Sequence, residues 1–303
     1  MKNICEALLA AITLPGFVLI NTGHAQIFVG TQGGTYGDTI GEYTASGATI
    51  NSSLITGLNG PAGLALSGND LFVANFGGDT IGEYTTSGAT VNASLVTGLN
   101  SPIGLAQSGE DLFVANFGTG TIGEYTTSGA TVNASLVTGL EYPKGIAIYG
   151  GDLFVVNGSN GTIGEYTLSG TKVNAALVSG LSSAIGLAIS GGNIFVVNGG
   201  SGTIGEYTTS GATVNAALVT GLDSPKGIAV SGGDLFVANT FPGEVEEYTT
   251  SGTPVNTSLI PGPLDYPWGV AIETVPEPST YVLLAGALSV WSLWRWNASR
   301  TPV

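Results

Sequence analysis

The sequence predicts an all-β fold: a six-bladed β-propeller of four-stranded antiparallel blades, its ring closed by pairing the N- and C-terminal strands, followed by a C-terminal hydrophobic helix. Three observations predict it: a repeat of constant length, four short β-like segments in each repeat, and chain ends that complete each other. The phrase "TIGEYTTSGATVNASLVTGL" stands at Thr80 to Leu99 and at Thr121 to Leu140, and returns at Thr203 to Leu222 with one Ser replaced by Ala. Its leading Ile or Val falls at Ile40, Ile81, Ile122, Ile163, Ile204 and Val245, a 41-residue step taken five times without insertion or loss. A period near 40 with four strands per unit marks a propeller blade, because each blade must bury both faces on its neighbours. Composition agrees. With 43% apolar residues there is enough for a large core, and 49 glycines among only 9% charged residues indicate a turn-rich β chain.

The elements follow in order. Residues 1–25 have a basic start at Lys2, an apolar stretch from Ala7 to Ile20 and the small-residue ending Gly23-His24-Ala25. This reads as a secretory signal peptide cut before Gln26. Cleavage would remove Cys5 and His24, the only cysteine and histidine. The mature chain would then have no disulfide, thiolate nucleophile, Cys or His metal ligand, or Ser/His/Asp triad. Over 26–273, three lysines stand against 19 acidic residues, a net charge of −16. Such a surface repels phosphate backbones, so nucleic acid is excluded as a partner.

One unit read from Gly63 gives "GLALSG", "DLFVANF", "TIGEYTTSG" and "TVNASLVTGL", four strands with turns between them. The first turn, Ser67-Gly68-Asn69-Asp70, suits a short hairpin. In Leu71-Phe72-Val73-Ala74 both faces are apolar, as expected of a strand sandwiched between blades. The mature chain enters at a second strand (Ile27-Phe28-Val29) and the last copy stops after a first strand (Trp268-Gly269-Val270-Ala271-Ile272). The sixth blade must be assembled from both ends, which leaves no open ring edge.

On Pro143-Lys144-Gly145-Ile146-Ala147-Ile148 with Leu153-Phe154-Val155, and Pro225-Lys226-Gly227-Ile228-Ala229-Val230 with Leu235-Phe236-Val237, the repeat resembles the NHL-type propeller family. It is also similar to surface-layer "YVTN" repeats, although those imply seven blades. Either resemblance implies a propeller fold; neither implies one activity, since propellers carry many.

Comparing the copies within the chain shows where they diverge. The connections into each first strand, and those between second and third strands, vary while the outer strands do not. In an up-and-down blade both connections lie at one end, around the mouth of the central channel. That face gathers Tyr36, Phe76, Phe117, Tyr142, Lys144, Lys226, Phe241, Tyr266 and Trp268, of which Tyr142, Lys144, Lys226, Phe241, Tyr266 and Trp268 are the candidate ligand-binding residues. Aromatic rings beside polar groups suit sugars, which stack their C–H faces and hydrogen-bond their hydroxyls. The alternative is that these rings plug the channel or pack the loops. The recurring Glu42, Glu83, Glu124, Glu165, Glu206 and Glu247, and Asn51, Asn92, Asn133, Asn174, Asn215 and Asn256, lie in outer strands and read as solvated edges or turn bonds. Scattered acids such as Asp38, Asp79 and Glu244 do not suggest a calcium site. No metal or cofactor is expected.

After Ile272 the pattern stops. Residues 274–280 form a Pro-rich linker and residues 281–303 a hydrophobic segment with Arg295 and Arg300. Pro276-Glu277-Pro278, an apolar run and Arg295 resemble the PEP-CTERM sorting signal of Gram-negative bacteria. That resemblance implies recognition by an exosortase-type transpeptidase, transient anchoring in the inner membrane through the helix, removal of the tail, and delivery to the surface or extracellular matrix. The expected function is a non-enzymatic binding scaffold associated with exopolysaccharide. The alternatives are a protein-docking propeller, or a lactonase- or lyase-type propeller enzyme relying on Glu141, Asp223, Asp265 and the two lysines.

Overall fold

The computed structural model describes residues 25–33 and 38–273. The signal peptide, Tyr36, the linker, the C-terminal helix and the sorting residues Pro276, Glu277, Pro278 and Arg295 lie outside them. The described residues form six four-stranded antiparallel sheets. Blade 1 comprises Pro61–Ser67, Asp70–Asn75, Thr80–Thr85 and Thr90–Val96, and blade 2 comprises Pro102–Ser108, Asp111–Asn116, Thr121–Thr126 and Thr131–Val137. Blade 3 takes Pro143–Tyr149, Asp152–Asn157, Thr162–Thr167 and Lys172–Val178; blade 4 takes Ala184–Ser190, Asn193–Asn198, Thr203–Thr208 and Thr213–Thr220. Blade 5 is Asp223–Ser231, Asp234–Phe241, Glu244–Thr249 and Pro254–Ile260. Blade 6 pairs the C-terminal Pro267–Glu273 with Gln26–Thr31, Thr39–Thr44 and Thr49–Ile55, so the two ends of the repeat close the ring.

The alternation in each second strand explains the packing. Phe72 and Ala74 of blade 1, with Ile81 and Val96, pack on Leu105, Leu112, Val114 and Tyr125 of blade 2. The opposite face, Leu71 and Val73, packs with Tyr84 on Phe28, Ile40 and Ile55 of blade 6. The same pairing recurs at every junction, including Phe236, Ala238 and Val245 against Ile27, Val29 and Tyr43 at the closure. Each of these second-strand aromatics is buried. Burying such a ring contributes roughly 1.5–3 kcal/mol, and six repeats of one interface therefore favour one repeated outer sequence.

The first strands stand side by side around the axis, and a ring of six glycines sets their spacing. A Cβ on Gly63, Gly104, Gly145, Gly186, Gly227 or Gly269 would fall 2.0 to 2.6 Å from a carbonyl oxygen of the next blade: Ile103, Lys144, Ile185, Lys226, Trp268 and Ala62, in that order. No L side chain fits there, which explains the glycine at this position in all six blades, five of them in a Pro-x-Gly segment.

The two polar columns separate. Each Asn accepts, through Oδ1, the backbone N–H two residues on, as in Ser53 on Asn51 and Ser94 on Asn92, and so supports the bulge by which the fourth strand leaves register. The glutamates are not solvated edges. Glu42 and Glu206 are buried and the others are half-buried or nearly so. Glu83 lies opposite Phe72 in the ladder, and directly opposed residues share a sheet face, so its carboxyl is carried toward the next blade. Asp70, two residues before Phe72, is on the same face. Burial first, and the Asp70 charge second, push the Glu83 carboxyl above its ordinary range; Glu124 with Asp111, Glu165 with Asp152 and Glu247 with Asp234 behave alike. In blade 4 Asn193 replaces the aspartate and donates to Glu206 at 2.8 Å.

Candidate functional site at the channel mouth

The two variable connections of a blade are joined to each other. In blade 1 the Phe76 N–H donates to the Gly60 carbonyl and Gly77 to Asn59; in blade 3 Gly158 donates to Tyr142; in blade 4 Gly199 donates to Ser183. Both kinds of connection therefore form one end of the propeller. Carboxylates fasten this rim to the neighbouring blade. Asp38 accepts from Gly60 N–H at 2.5 Å, and Asp79 accepts from Ser101 N–H at 2.7 Å, which gives those scattered acids a structural role.

The residue that enters each first strand has a positive φ in every blade: Gly60 at 63°, Ser101 at 50°, Tyr142 at 54°, Ser183 at 49°, Ser224 at 58° and Tyr266 at 42°. Glycine adopts this conformation freely, whereas an L side chain meets its own carbonyl there. Blades 3 and 6 nevertheless carry tyrosine, and about half of each ring surface is left to solvent (53% for Tyr142, 51% for Tyr266). Tyr142 lies 4.8 Å from Phe117, which in turn lies 6.3 Å edge-on to Phe76. Phe241 and Tyr266 form a second pair, at 5.8 Å and 81°. The rim thus carries two groups of rings in tilted or edge-on contact.

Inside the rim, the residue before each ring glycine forms the mouth: Ala62, Ile103, Lys144, Ile185, Lys226 and Trp268. The Lys226 ammonium sits 5.1 Å from the centre of the Trp268 ring, a cation–π contact. Lys144 lies across its own blade's Gly158, where a Cβ would come within 2.7 Å of Cε. Burial pulls both ammonium groups below the ordinary lysine range, and the Lys226 charge adds to the depression at Lys144. The channel pocket holds about 140 Å³ and is lined by Lys226, Trp268 and the other mouth residues except Lys144, with Leu, Ile and Val side chains and the glycine ring.

The six predicted site residues thus fall into three sets on one end: Tyr142 with Phe117 and Phe76, Phe241 with Tyr266, and Lys226 with Trp268 and Lys144. One further residue breaks the repeat. Glu246 stands where the other five blades have Gly41, Gly82, Gly123, Gly164 and Gly205, beside the ring of the tyrosine two residues on. It is buried, receives Asn239 Nδ2 at 2.6 Å and the Tyr248 hydroxyl, and lines a cleft with Asp223, Phe241 and Glu244. Aligning "EVEEYT" with "TIGEYT" would have revealed it. Among the described residues, no three or more His, Cys, Asp or Glu side chains are grouped to hold a metal ion.

No family model and no curated protein matches the sequence. Solved structures do. A chain of a nidogen/laminin complex superposes with a TM-score of 0.68 at 16% identity, covering 82% of this chain and 98% of its own. Streptogramin B lyase superposes with a TM-score of 0.59 at 20% identity, covering 76% and 78% respectively. Hydrazine synthase of Kuenenia stuttgartiensis gives a TM-score of 0.51 at 15% identity, over 64% and 67%. At these identities the likeness concerns the fold, and what it establishes, with the blade count and the closure, is that this chain is a six-bladed β-propeller of four-stranded blades.

Proposed function

We propose that the chain is an exported, non-enzymatic binding scaffold of the cell surface or extracellular matrix, and that its channel-mouth face binds exopolysaccharide. The observation that carries this reading is the pair of half-exposed tyrosines, Tyr142 and Tyr266, held at positive φ where glycine or serine serves in the other blades. Backbone strain of this kind gathers at functional positions. Rings presented beside hydroxyls, amides and lysines suit a sugar, which offers apolar C–H faces and hydroxyls together. The export part rests on the signal-peptide-like start and on the PEP-CTERM-like tail at Pro276, Glu277, Pro278 and Arg295, with an exosortase-type transpeptidase as the processing partner.

A protein partner is the second reading. Exposed Tyr and Trp are the residues that dominate protein interfaces, and one neighbour in fold occurs in a nidogen/laminin complex. Affinity electrophoresis of the full chain through gels cast with neutral and acidic exopolysaccharides separates the two. The polysaccharide reading expects retardation that is lost in Tyr142→Ala, Tyr266→Ala and Trp268→Ala. Migration unaffected by every polysaccharide would overturn it in favour of protein docking.

A further inference from the structure

We propose that the channel mouth is an oxyanion site for an acidic saccharide, one bearing a carboxylate or a sulfate ester, which Lys144 and Lys226 bind across the intervening Ile185. This deepens the polysaccharide reading and rests on it. The propeller contains only three lysines and no arginine, and two of the three occupy one ring of six equivalent positions at the mouth. The fold does not require them there, since the same position is Ala62, Ile103, Ile185 and Trp268 in the other blades.

Their setting is unfavourable without a counter-ion. Both side chains are half-buried, and each ammonium loses hydration without gaining a carboxylate partner among the described residues. Lys226 is held by an aromatic face and Lys144 by a glycine surface, neither of which neutralises charge. Of the three lysines in a domain with 19 acidic residues, two stand at the mouth. An oxyanion arriving there would supply the missing charge in a partly desolvated setting, where charge-assisted hydrogen bonds are stronger than in water. The channel pocket that Ile185, Lys226 and Trp268 line measures about 140 Å³ and takes in the acidic group, while the sugar ring stays at the rim.

The test is calorimetric titration of the full chain with a galacturonate trimer, a sulfated glucose oligomer and the neutral glucose oligomer of equal length. The expected result is binding of an acidic oligomer at least tenfold tighter than the neutral one, reduced at least tenfold in Lys144→Met/Lys226→Met, retained in Lys144→Arg/Lys226→Arg and unchanged in Lys172→Met. The first two arms distinguish carboxylate from sulfate. Equal binding of neutral and acidic oligomers, or an unaffected double Met variant, overturns the oxyanion site and leaves the polysaccharide reading standing. No binding of any oligomer by the wild type overturns both.

Discussion

Replacing Tyr142 by glycine decides whether the rim aromatics are packing or binding elements. The residue has φ +54° and 53% of its surface exposed. Its covered half amounts to about 100 Å² of a ring this size, and at ~25 cal/mol/Å² its removal costs about 2.5 kcal/mol at most. Against this, glycine relieves the left-handed backbone, by roughly 1–2 kcal/mol for an L residue. The net expectation is a loss of no more than about 1.5 kcal/mol, compared with about 3–5 kcal/mol for truncating a core ring such as Phe154. Guanidinium denaturation of both variants measures the difference, and polysaccharide affinity electrophoresis of the same samples measures binding. A near-native fold with lost retardation is the expected pair of results. A loss above about 3 kcal/mol would make Tyr142 a packing residue, and unchanged retardation would remove it from the site; either refutes the reasoning.

Two further outcomes test the frame. Phe28→Ala, in the blade built from both chain ends, should destabilise as much as Phe113→Ala in blade 2, about 3–5 kcal/mol by guanidinium denaturation, because both rings are fully buried in equivalent interfaces; a loss below about 1 kcal/mol for Phe28→Ala alone would mean a loosely closed ring. The carboxyls of Glu42, Glu83, Glu124, Glu165, Glu247 and Glu273 are held above the ordinary 4.5 by burial first and, in all but Glu273, by a neighbouring acid second. A carboxyl with a raised folded pKa binds its proton first in the native state, so stability rises as pH falls through that folded value and the gain is complete below 4.5. The thermal midpoint should accordingly be higher at pH 5 than at pH 7, and a lower midpoint at pH 5 would refute the assignment.

The fold was legible because its determinants are periodic. The position of Ile40, Ile81 and their equivalents fixes the blade length, and the mismatch between Gln26 and Glu273 fixes the closure, so blade number follows by counting. The site was legible in part for the opposite reason: within one chain, positions that vary against an invariant background separate themselves, and this singled out Tyr142, Lys144, Lys226, Phe241, Tyr266 and Trp268. What escaped depends on facing rather than on type. Glu83 was placed by its distance from the axis, whereas its exposure is set by lying opposite Phe72 on the face that meets the next blade. The clustering of Tyr142 with Phe117, and of Phe241 with Tyr266, joins connections of different strands and has no trace in residue spacing. The glycine ring appeared as a motif, but its reason, the carbonyl of the adjacent blade, exists only once the ring is closed.

In two blades the mouth residue lies directly over the rim position, and this contact links the two halves of the site. Blades 1 and 2 combine Phe76 and Phe117 on the rim with Ala62 and Ile103 at the mouth, whereas blades 3 and 4 have Gly158 and Gly199 on the rim with Lys144 and Ile185 at the mouth. The reason is steric: a Cβ at 158 would meet Lys144 Cε at 2.7 Å, and one at 199 would meet Ile185 Cδ1 at the same distance. In blades 3 and 4 a mouth side chain thus lies over a rim position that has none, whereas blade 5 combines Lys226 with Thr240 and blade 6 combines Trp268 with Gln32. The differences around the ring place two cationic mouth positions on the same end as the aromatic ones. A sixfold-symmetric mouth could not do so, since six lysines would repel one another and six phenylalanines would present no charge. Variation at two positions per blade thus gives one end of a repeated, acidic scaffold both aromatic rings and lysines.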